Sequence, residues 1–196
     1  MMNFSPQNLF ISVVELFAIF IPGAIVSIVL SYYCQNYIIE TIREPELLGY
    51  YFWVSFIICS YVFGHIVNRI GSVFDIILYD SWYYPKKSTY EVSEAIKYLK
   101  IPHKVGNPYA WAKYYVTSSG SPIIHRIEKN TADAKFFRSL LVISLGLGIL
   151  FLIQFDFVAS MIVFFLAAFS TFQYLKLRYK AALIAYEFVI YTESKR

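Results

Sequence analysis

At 196 residues, with 58% hydrophobic, 20% aromatic and only 15% charged residues and a mean hydropathy of +0.54, the chain is too apolar for an ordinary soluble domain. Its two cysteines, Cys34 and Cys59, lie beside or within apolar runs and lack CxxC spacing, which argues against a disulfide framework and against a thiol metal or redox centre. The net charge of +4 is gathered into a few segments rather than spread along the chain.

The N-terminal MMNFSPQN has no basic residue, and the apolar run behind it is too long for the core of a cleavable signal peptide, so it reads as a retained helix. That run spans about Leu9 to Tyr33 with Glu15 as its only formal charge. A second spans about Leu47 to Val67, with His65 near its end. The third and fourth, about Ser139 to Phe155 and Phe157 to Leu175, are free of charge and separated by little more than Gln154-Phe155-Asp156. A helix crosses about 30 Å of hydrocarbon with roughly 17–25 mostly apolar residues, and all four runs qualify, the third only just. The fold class that follows is all-α: a polytopic membrane protein with four transmembrane helices and a helical cytoplasmic insert. Three segments are expected: a first hairpin over 1–79 (spans about 9–33 and 47–70), a basic insert over 80–135, and a second hairpin over 136–196 (spans about 137–155 and 157–175) with a tail helix.

The pattern beyond the spans is also helical. After Val67, the residues His65, Asn68, Arg69, Ser72 and Asp75 recur on one side and Ile66, Ile70, Val73, Ile76 and Ile77 on the other, extending the second helix to about Tyr79. Ser88 and Glu91 form a capping box that opens a short helix to about Leu99, stopped by Pro102. Asn107-Pro108 opens a helix that ends near Ser118-Ser119-Gly120, and Ser121-Pro122 opens a long one running into the third span. The segment from Lys176 to Glu193 continues the fourth helix.

Basic residues set the expected orientation. The first connection has Arg43 alone, and the hairpin between the last two spans has none. The stretch from Ser81 to Ser139 has Lys86, Lys87, Lys97, Lys100, Lys104, Lys113, Arg126, Lys129, Lys135 and Arg138, and the tail has Lys176, Arg178, Lys180, Lys195 and Arg196. Insert, tail and N-terminus are therefore expected on the cytoplasmic side of a bacterial inner (cell) membrane. Tyr32, Tyr33, Tyr37, Tyr50, Tyr51 and Trp53 would mark the outer interface, and Trp82, Tyr83, Tyr84, Tyr174 and Tyr179 the inner one.

Ionisable groups at membrane depth are the sharpest functional candidates. Glu15 falls about 9 Å into the first span at 1.5 Å per residue, and His65 lies at similar depth before the interface at Arg69. Glu15, His65, Asn68 and Arg69 form the intramembrane polar set. It reads either as a proton relay or pore lining, or as a Glu–His or Glu–Arg contact that locks two helices. Pro22-Gly23, mid-span, is a candidate hinge. Gly146 and Gly148 lack GxxxG spacing and suit close packing. On the cytoplasmic face Lys86, Lys87, Lys113 and Arg126 form a candidate docking surface. Attraction to membrane lipids explains it at least as well as docking of an RNA-bearing partner beside Trp111, Tyr114 and Tyr115, and direct nucleic-acid binding is not expected.

Catalysis is not expected. His65, His103 and His125 lack metal-site spacing, and no P-loop, GxSxG or nucleotide fingerprint occurs, so no metal or cofactor is implied. Four spans leave little room for an aqueous lumen in one copy, so any conducting path is expected between copies of a cyclic homo-oligomer.

The low charge, Ile/Lys/Tyr-rich make-up, four spans and small basic insert resemble the small multi-span membrane accessory proteins of type VI-B CRISPR systems, which are encoded beside RNA-guided, RNA-targeting effectors. The chain lacks the Arg/His ribonuclease-like pattern of the other accessory kind. Phe20-Ile21-Pro22-Gly23, Gly64-His65 and Lys135-Phe136-Phe137-Arg138-Ser139 are also similar to segments of uncharacterised bacterial membrane proteins found in defence loci. The resemblance implies modulation of an antiviral response, through membrane permeability or beside an RNA-guided effector protein, and carries no active site onto these residues. A membrane scaffold or small transporter subunit that docks a partner is the alternative.

Overall fold

The computed structural model describes the backbone of residues 6–41, 45–84, 93, 97 and 108–195, and the side chains of 16–34, 51–84, 93, 97 and 108–195. Within these residues the chain is all-α: α1 (Pro6–Thr41), α2 (Pro45–Phe74), a π-helical segment (Asp75–Tyr83), α3 (Pro108–Ser118), α4 (Ile123–Ile153) and α5 (Phe157–Ser194). Among the described residues, four helices are long and apolar enough to cross a membrane. At about 1.5 Å per residue, the 36 residues of α1 and 38 of α5 reach well beyond 30 Å of hydrocarbon. The capping box Ser88–Glu91, Pro102 and Asn107 fall outside the described residues.

Local chemistry explains the boundaries. The α3 helix ends where Gly120 adopts φ 66°, a left-handed geometry that costs glycine little, with Ser119 N–H donating to the Tyr115 carbonyl at 3.1 Å. Ser121 then caps α4: its Oγ accepts from Ile123 N–H at 3.4 Å and its carbonyl from Ile124 N–H at 3.2 Å. Between α4 and α5, Asp156 Oδ1 accepts from Ala159 N–H at 3.0 Å and caps α5. Phe155 sits at φ 60°, a strained position for a side chain with a β-carbon, and its ring is exposed. Replacing Phe155 by glycine is therefore expected to raise stability by about 1 kcal/mol, read as a higher unfolding midpoint in detergent.

The α2 helix does not continue as an α-helix to its end. From Asp75 it widens to the π register, in which the Ser81 hydroxyl donates to the Ile76 carbonyl five residues back at 2.6 Å and the Tyr84 N–H donates to the Tyr79 carbonyl. Such segments are rare and frequent at functional sites. In this register residues five apart share a face, which brings the rings of Tyr79 and Tyr84 within 5.5 Å between centroids.

The chain divides into two compact units that are each discontinuous in sequence. The span unit comprises Glu15–Val73 and Lys135–Thr171. The charged unit comprises Met1–Val14, Phe74–Ala134 and Phe172–Arg196 and holds most of the chain's charged residues.

Within the span unit, α1 and α2 touch backbone to backbone at Gly23, Ser60 and Gly64. A β-carbon on Gly23 would lie 1.7 Å from the Ser60 carbonyl oxygen, and one on Gly64 would lie 2.2 Å from the Ile19 carbonyl oxygen. The buried Ser60 hydroxyl, 3.3 Å from that of Ser27, donates to the Phe56 carbonyl at 2.6 Å. Gly23 with Ser27 and Ser60 with Gly64 thus form facing small-xxx-small pairs, the device by which membrane helices approach closely. Near the ends of α1 and α4, Gln154 Nε2 donates to the Tyr33 hydroxyl at 2.6 Å. The outside of this unit is apolar, with Ile28, Ile57, Ile58, Met161 and Phe165 all exposed, as a lipid-facing surface must be.

The charged unit has its own core of Ala112, Val116, Ile127, Ala181, Ala182, Ala185, Tyr186 and Val189. Alanines at 181, 182 and 185 keep one face of α5 shallow, so Val116 of α3 and Ile127 of α4 reach full burial against this cluster. Each such side chain contributes about 1.5–3 kcal/mol by leaving water.

Candidate functional site

The intramembrane polar residues do not converge among the described side chains. His65 is exposed, its ring edge-on to Tyr61 at 4.6 Å between centroids, and Arg69 is exposed as well. The Ser72 hydroxyl, on the same helix, donates to the Arg69 carbonyl at 2.6 Å. The side chain of Glu15 lies outside the described residues. Of the three described members, Asn68 turns to the interior, where its Oδ1 accepts from Arg138 Nη2 at 2.6 Å. The same nitrogen lies 3.4 Å from the Asn68 carbonyl, and the Arg138 stem packs against Gly71, whose added β-carbon would lie 3.1 Å from Cγ. Arg138, counted above among the cytoplasmic charges, is buried.

Pro22 lies inside an unbroken α1, where it is buried beside the Gly23 contact. There the Pro22-Gly23 pair packs α1 onto α2. A β-carbon on Gly148 would lie 2.9 Å from the Phe164 ring, and the Gly148 carbonyl accepts from the Ser160 hydroxyl at 3.0 Å, while nothing lies within 4 Å of a β-carbon on Gly146.

Of the basic docking candidates, Lys86 and Lys87 fall outside the described residues. Arg126 is exposed, and Lys113 sits 3.9 Å from Glu128 across a solvent-accessible surface, a pair worth little. Trp111 and Tyr114 stand exposed on α3 beside Lys113.

The most structured polar site lies in the charged unit, beyond the spans read at 47–70 and 157–175. A cavity of about 280 Å³ is lined by Tyr79, Asp80, Tyr84, Pro108, Tyr109, Arg178 and Ala182. The Arg178 guanidinium carbon sits 5.6 Å from the centroid of the Tyr79 ring and 5.4 Å from that of Tyr109, so two π faces hold the cation. A second layer fixes the rings. The Tyr84 and Tyr186 hydroxyls lie 2.9 Å apart, and Tyr83 meets Tyr179 edge-on at 6.1 Å. The Thr131 hydroxyl donates to the Ile127 carbonyl, so the Tyr109 O–H, 3.3 Å away, is the donor to Thr131. The Tyr174 hydroxyl donates to Asp75.

Electrostatics in this cavity are unusual. Burial pushes the Tyr79 phenol well above the ordinary tyrosine range, with the Arg178 charge pulling the other way. Burial, then the hydrogen bond with Tyr84, pushes Tyr186 up as well. Burial also raises the Asp80 carboxyl, against the pull of Arg178, and Asp75 adds to the rise. Both phenols are protonated donors at neutral pH. The Tyr79 side chain is only 4% exposed, yet its hydroxyl has no hydrogen-bond partner among the described residues.

Sequence reasoning missed this site. It counted Arg178 as one of five tail charges and Tyr83, Tyr84, Tyr174 and Tyr179 as an interfacial belt. At 3.6 residues per turn, Tyr79 and Tyr84 fall on different faces, and only the π register unites them. Among the described residues no cluster of His, Cys, Asp and Glu is arranged to hold a metal ion. In comparison with known proteins, no family model, no curated protein and no solved structure matches this chain.

Proposed function

We propose that the protein is a non-enzymatic effector or accessory of the bacterial inner membrane that acts as an assembly of copies and modulates antiviral defence by altering membrane permeability. The observation that carries the assembly is the close helix packing and sparse polarity of the span unit's interior. Its α1–α2 seam is sealed at Gly23, Ser60 and Gly64, the cavity beside Ser27 and Cys59 is lined mostly by apolar side chains, and its other buried polar groups include the Arg138–Asn68 pair and small hydroxyls such as Ser139, Ser144, Ser160 and Ser170. A path for ions therefore runs between copies, along surfaces repeated about a symmetry axis. The likeness of make-up to type VI-B accessory proteins supports antiviral defence as the setting and an RNA-guided effector as the partner.

Two measurements test this reading. Inducible expression is expected to collapse the membrane potential, and the particle in mild detergent is expected to have a mass of several copies. A strictly monomeric particle together with an intact potential would remove the permeability reading and leave a scaffold that docks a partner. The exposed Trp111 and Tyr114 beside Lys113 favour that second reading, since aromatic and basic side chains on one face are typical of interfaces.

Orientation has its own test. A reporter active only in the cytoplasm is expected to work when fused after Lys100 or Arg196 and to be silent when inserted near Glu44. Activity at Glu44 would overturn the proposed sidedness.

A further inference from the structure

We propose that the tyrosine-lined cavity of the charged unit is a binding site for the phosphate group of a small ligand, with Arg178 as its anchor and Tyr79 as a second donor. The inference concerns the charged unit alone and stands whether or not copies assemble.

The argument starts from unmet donors. A guanidinium carries five N–H groups in one plane and is satisfied best by an oxyanion that accepts two of them side by side, as phosphate does. Arg178 is half-buried, yet among the described residues it makes no ion pair and donates no hydrogen bond. The faces of Tyr79 and Tyr109 are what hold it. Ring faces attract the cation and leave its N–H groups unused. Tyr79, which lines the same cavity, also carries a buried hydroxyl without a partner among the described residues. A buried hydroxyl without a partner and, on the same cavity, a guanidinium whose N–H groups are unused together mark a place suited to an acceptor.

The sign of the ligand follows from what already occupies the rings. A cationic ligand would need the π faces of Tyr79 and Tyr109, and Arg178 takes both. An anion leaves those contacts in place and uses the idle donors. Asp80 lines the same cavity and opposes an anion, so its charge is a built-in test of the ligand's sign. At about 280 Å³ the cavity is at the small end of the roughly 300–1,000 Å³ usual for ligand sites, enough for a phosphate ester and too small for a folded partner.

Phosphate at this place has two sources, a free phosphorylated metabolite or the headgroup of an anionic lipid. Titration calorimetry on the full chain in non-ionic detergent, with AMP, inorganic phosphate and short-chain phosphatidylglycerol as probes, separates them. At least one of these probes is expected to bind. Arg178→Gln is expected to lose at least tenfold in affinity, and Arg178→Lys to fall between. Tyr79→Phe is expected to lose several-fold while the ligand-free protein unfolds at the same or a higher temperature, because an unpaired buried hydroxyl has gone. Asp80→Asn is expected to tighten binding several-fold. Lys180→Gln, which removes an exposed charge two residues away, is expected to bind as wild type.

Binding of AMP or inorganic phosphate alone supports the site and assigns a soluble ligand. Binding of phosphatidylglycerol alone supports it and assigns a lipid headgroup. The proposal is overturned if none of the three probes binds, if Lys180→Gln weakens binding as much as Arg178→Gln, or if Asp80→Asn weakens it. Because Asp80→Asn and Arg178→Lys keep the side chain's size, they remain informative even where Arg178→Gln fails to fold.

Discussion

Gly23→Val and Gly64→Val are each expected to abolish the folded span unit, whereas Gly146→Ala leaves it intact. The added β-carbon at position 23 would sit 1.7 Å from the Ser60 carbonyl oxygen and 2.6 Å from the Gly64 nitrogen. At position 64 it would sit 2.2 Å from the Ile19 carbonyl oxygen. Those obstacles are backbone, so neither a rotamer change nor a flexible side chain relieves them, and the two helices must separate. Separation also breaks the interhelical contact of the Ser27 and Ser60 hydroxyls and leaves Ser60 with only its bond inside α2. Overpacking alone costs about 1–3 kcal/mol and occasionally more. A backbone obstacle belongs at or above the top of that range. Gly146 is the control in the same bundle, with open space where the methyl would go and a helix propensity gain of up to about 1 kcal/mol for alanine. Gly148→Ala should fall between them, since the Phe164 ring at 2.9 Å can turn aside. The yield of monodisperse protein and the unfolding midpoint in detergent give the ranking. A Gly64→Val protein as stable as wild type would mean that α1 and α2 do not meet at this seam.

That seam shows what the sequence made legible and what it hid. Runs of about twenty apolar residues announce membrane helices because hydrocarbon leaves backbone groups no partner outside the helix. Pro108, Gly120 and Pro122 mark their helix ends through fixed φ, positive φ and a missing donor. These signals are local. Pro22-Gly23, read as a candidate hinge, also packs against a second helix, and nothing in the neighbouring residues says so. A usable hint was present, since Gly23-x3-Ser27 and Ser60-x3-Gly64 both obey small-xxx-small spacing. The π register from Asp75 to Tyr83 had no such hint. The run Asp75-Ile76-Ile77-Leu78-Tyr79 contains neither Gly nor Pro, and the widened turn becomes visible only through the tyrosine contacts it creates. The Arg178 site was invisible for the same reason. Its rings come from the π segment and the start of α3, and its cation from α5.

Arg138 carries the last expected result: Asn68→Leu is expected to destabilise the span unit by about 2 kcal/mol, and much of that loss should vanish when Arg138 is also replaced by methionine. Counting charges placed Arg138 among residues that hold the insert in the cytoplasm, but its side chain is buried with Asn68 Oδ1 2.6 Å from Nη2. A hydrogen bond to a charged group contributes about 1.5–3 kcal/mol, and removing one partner leaves the other's desolvation cost uncompensated. Leucine keeps the branched shape of Asn68, with somewhat more bulk, and removes the acceptor. Arg138 keeps its contact with the Asn68 carbonyl at 3.4 Å and further interactions of its own, so the loss stays near the lower half of that range. Arg138→Met keeps the stem that packs on Gly71 and removes the charge, at an expected cost of about 1 kcal/mol. In the double variant no buried charge is left seeking an acceptor. Its stability is therefore expected to match Arg138→Met more closely than the sum of the two losses, with a coupling of about 1 kcal/mol or more. Arg138→Lys is not an adequate substitute for arginine, because an ammonium cannot reproduce the geometry of the guanidinium fork. Thermal unfolding of the four proteins in one detergent completes the cycle. Strictly additive losses would show that Asn68 and Arg138 act independently, and the buried clamp between α2 and α4 would have to be given up.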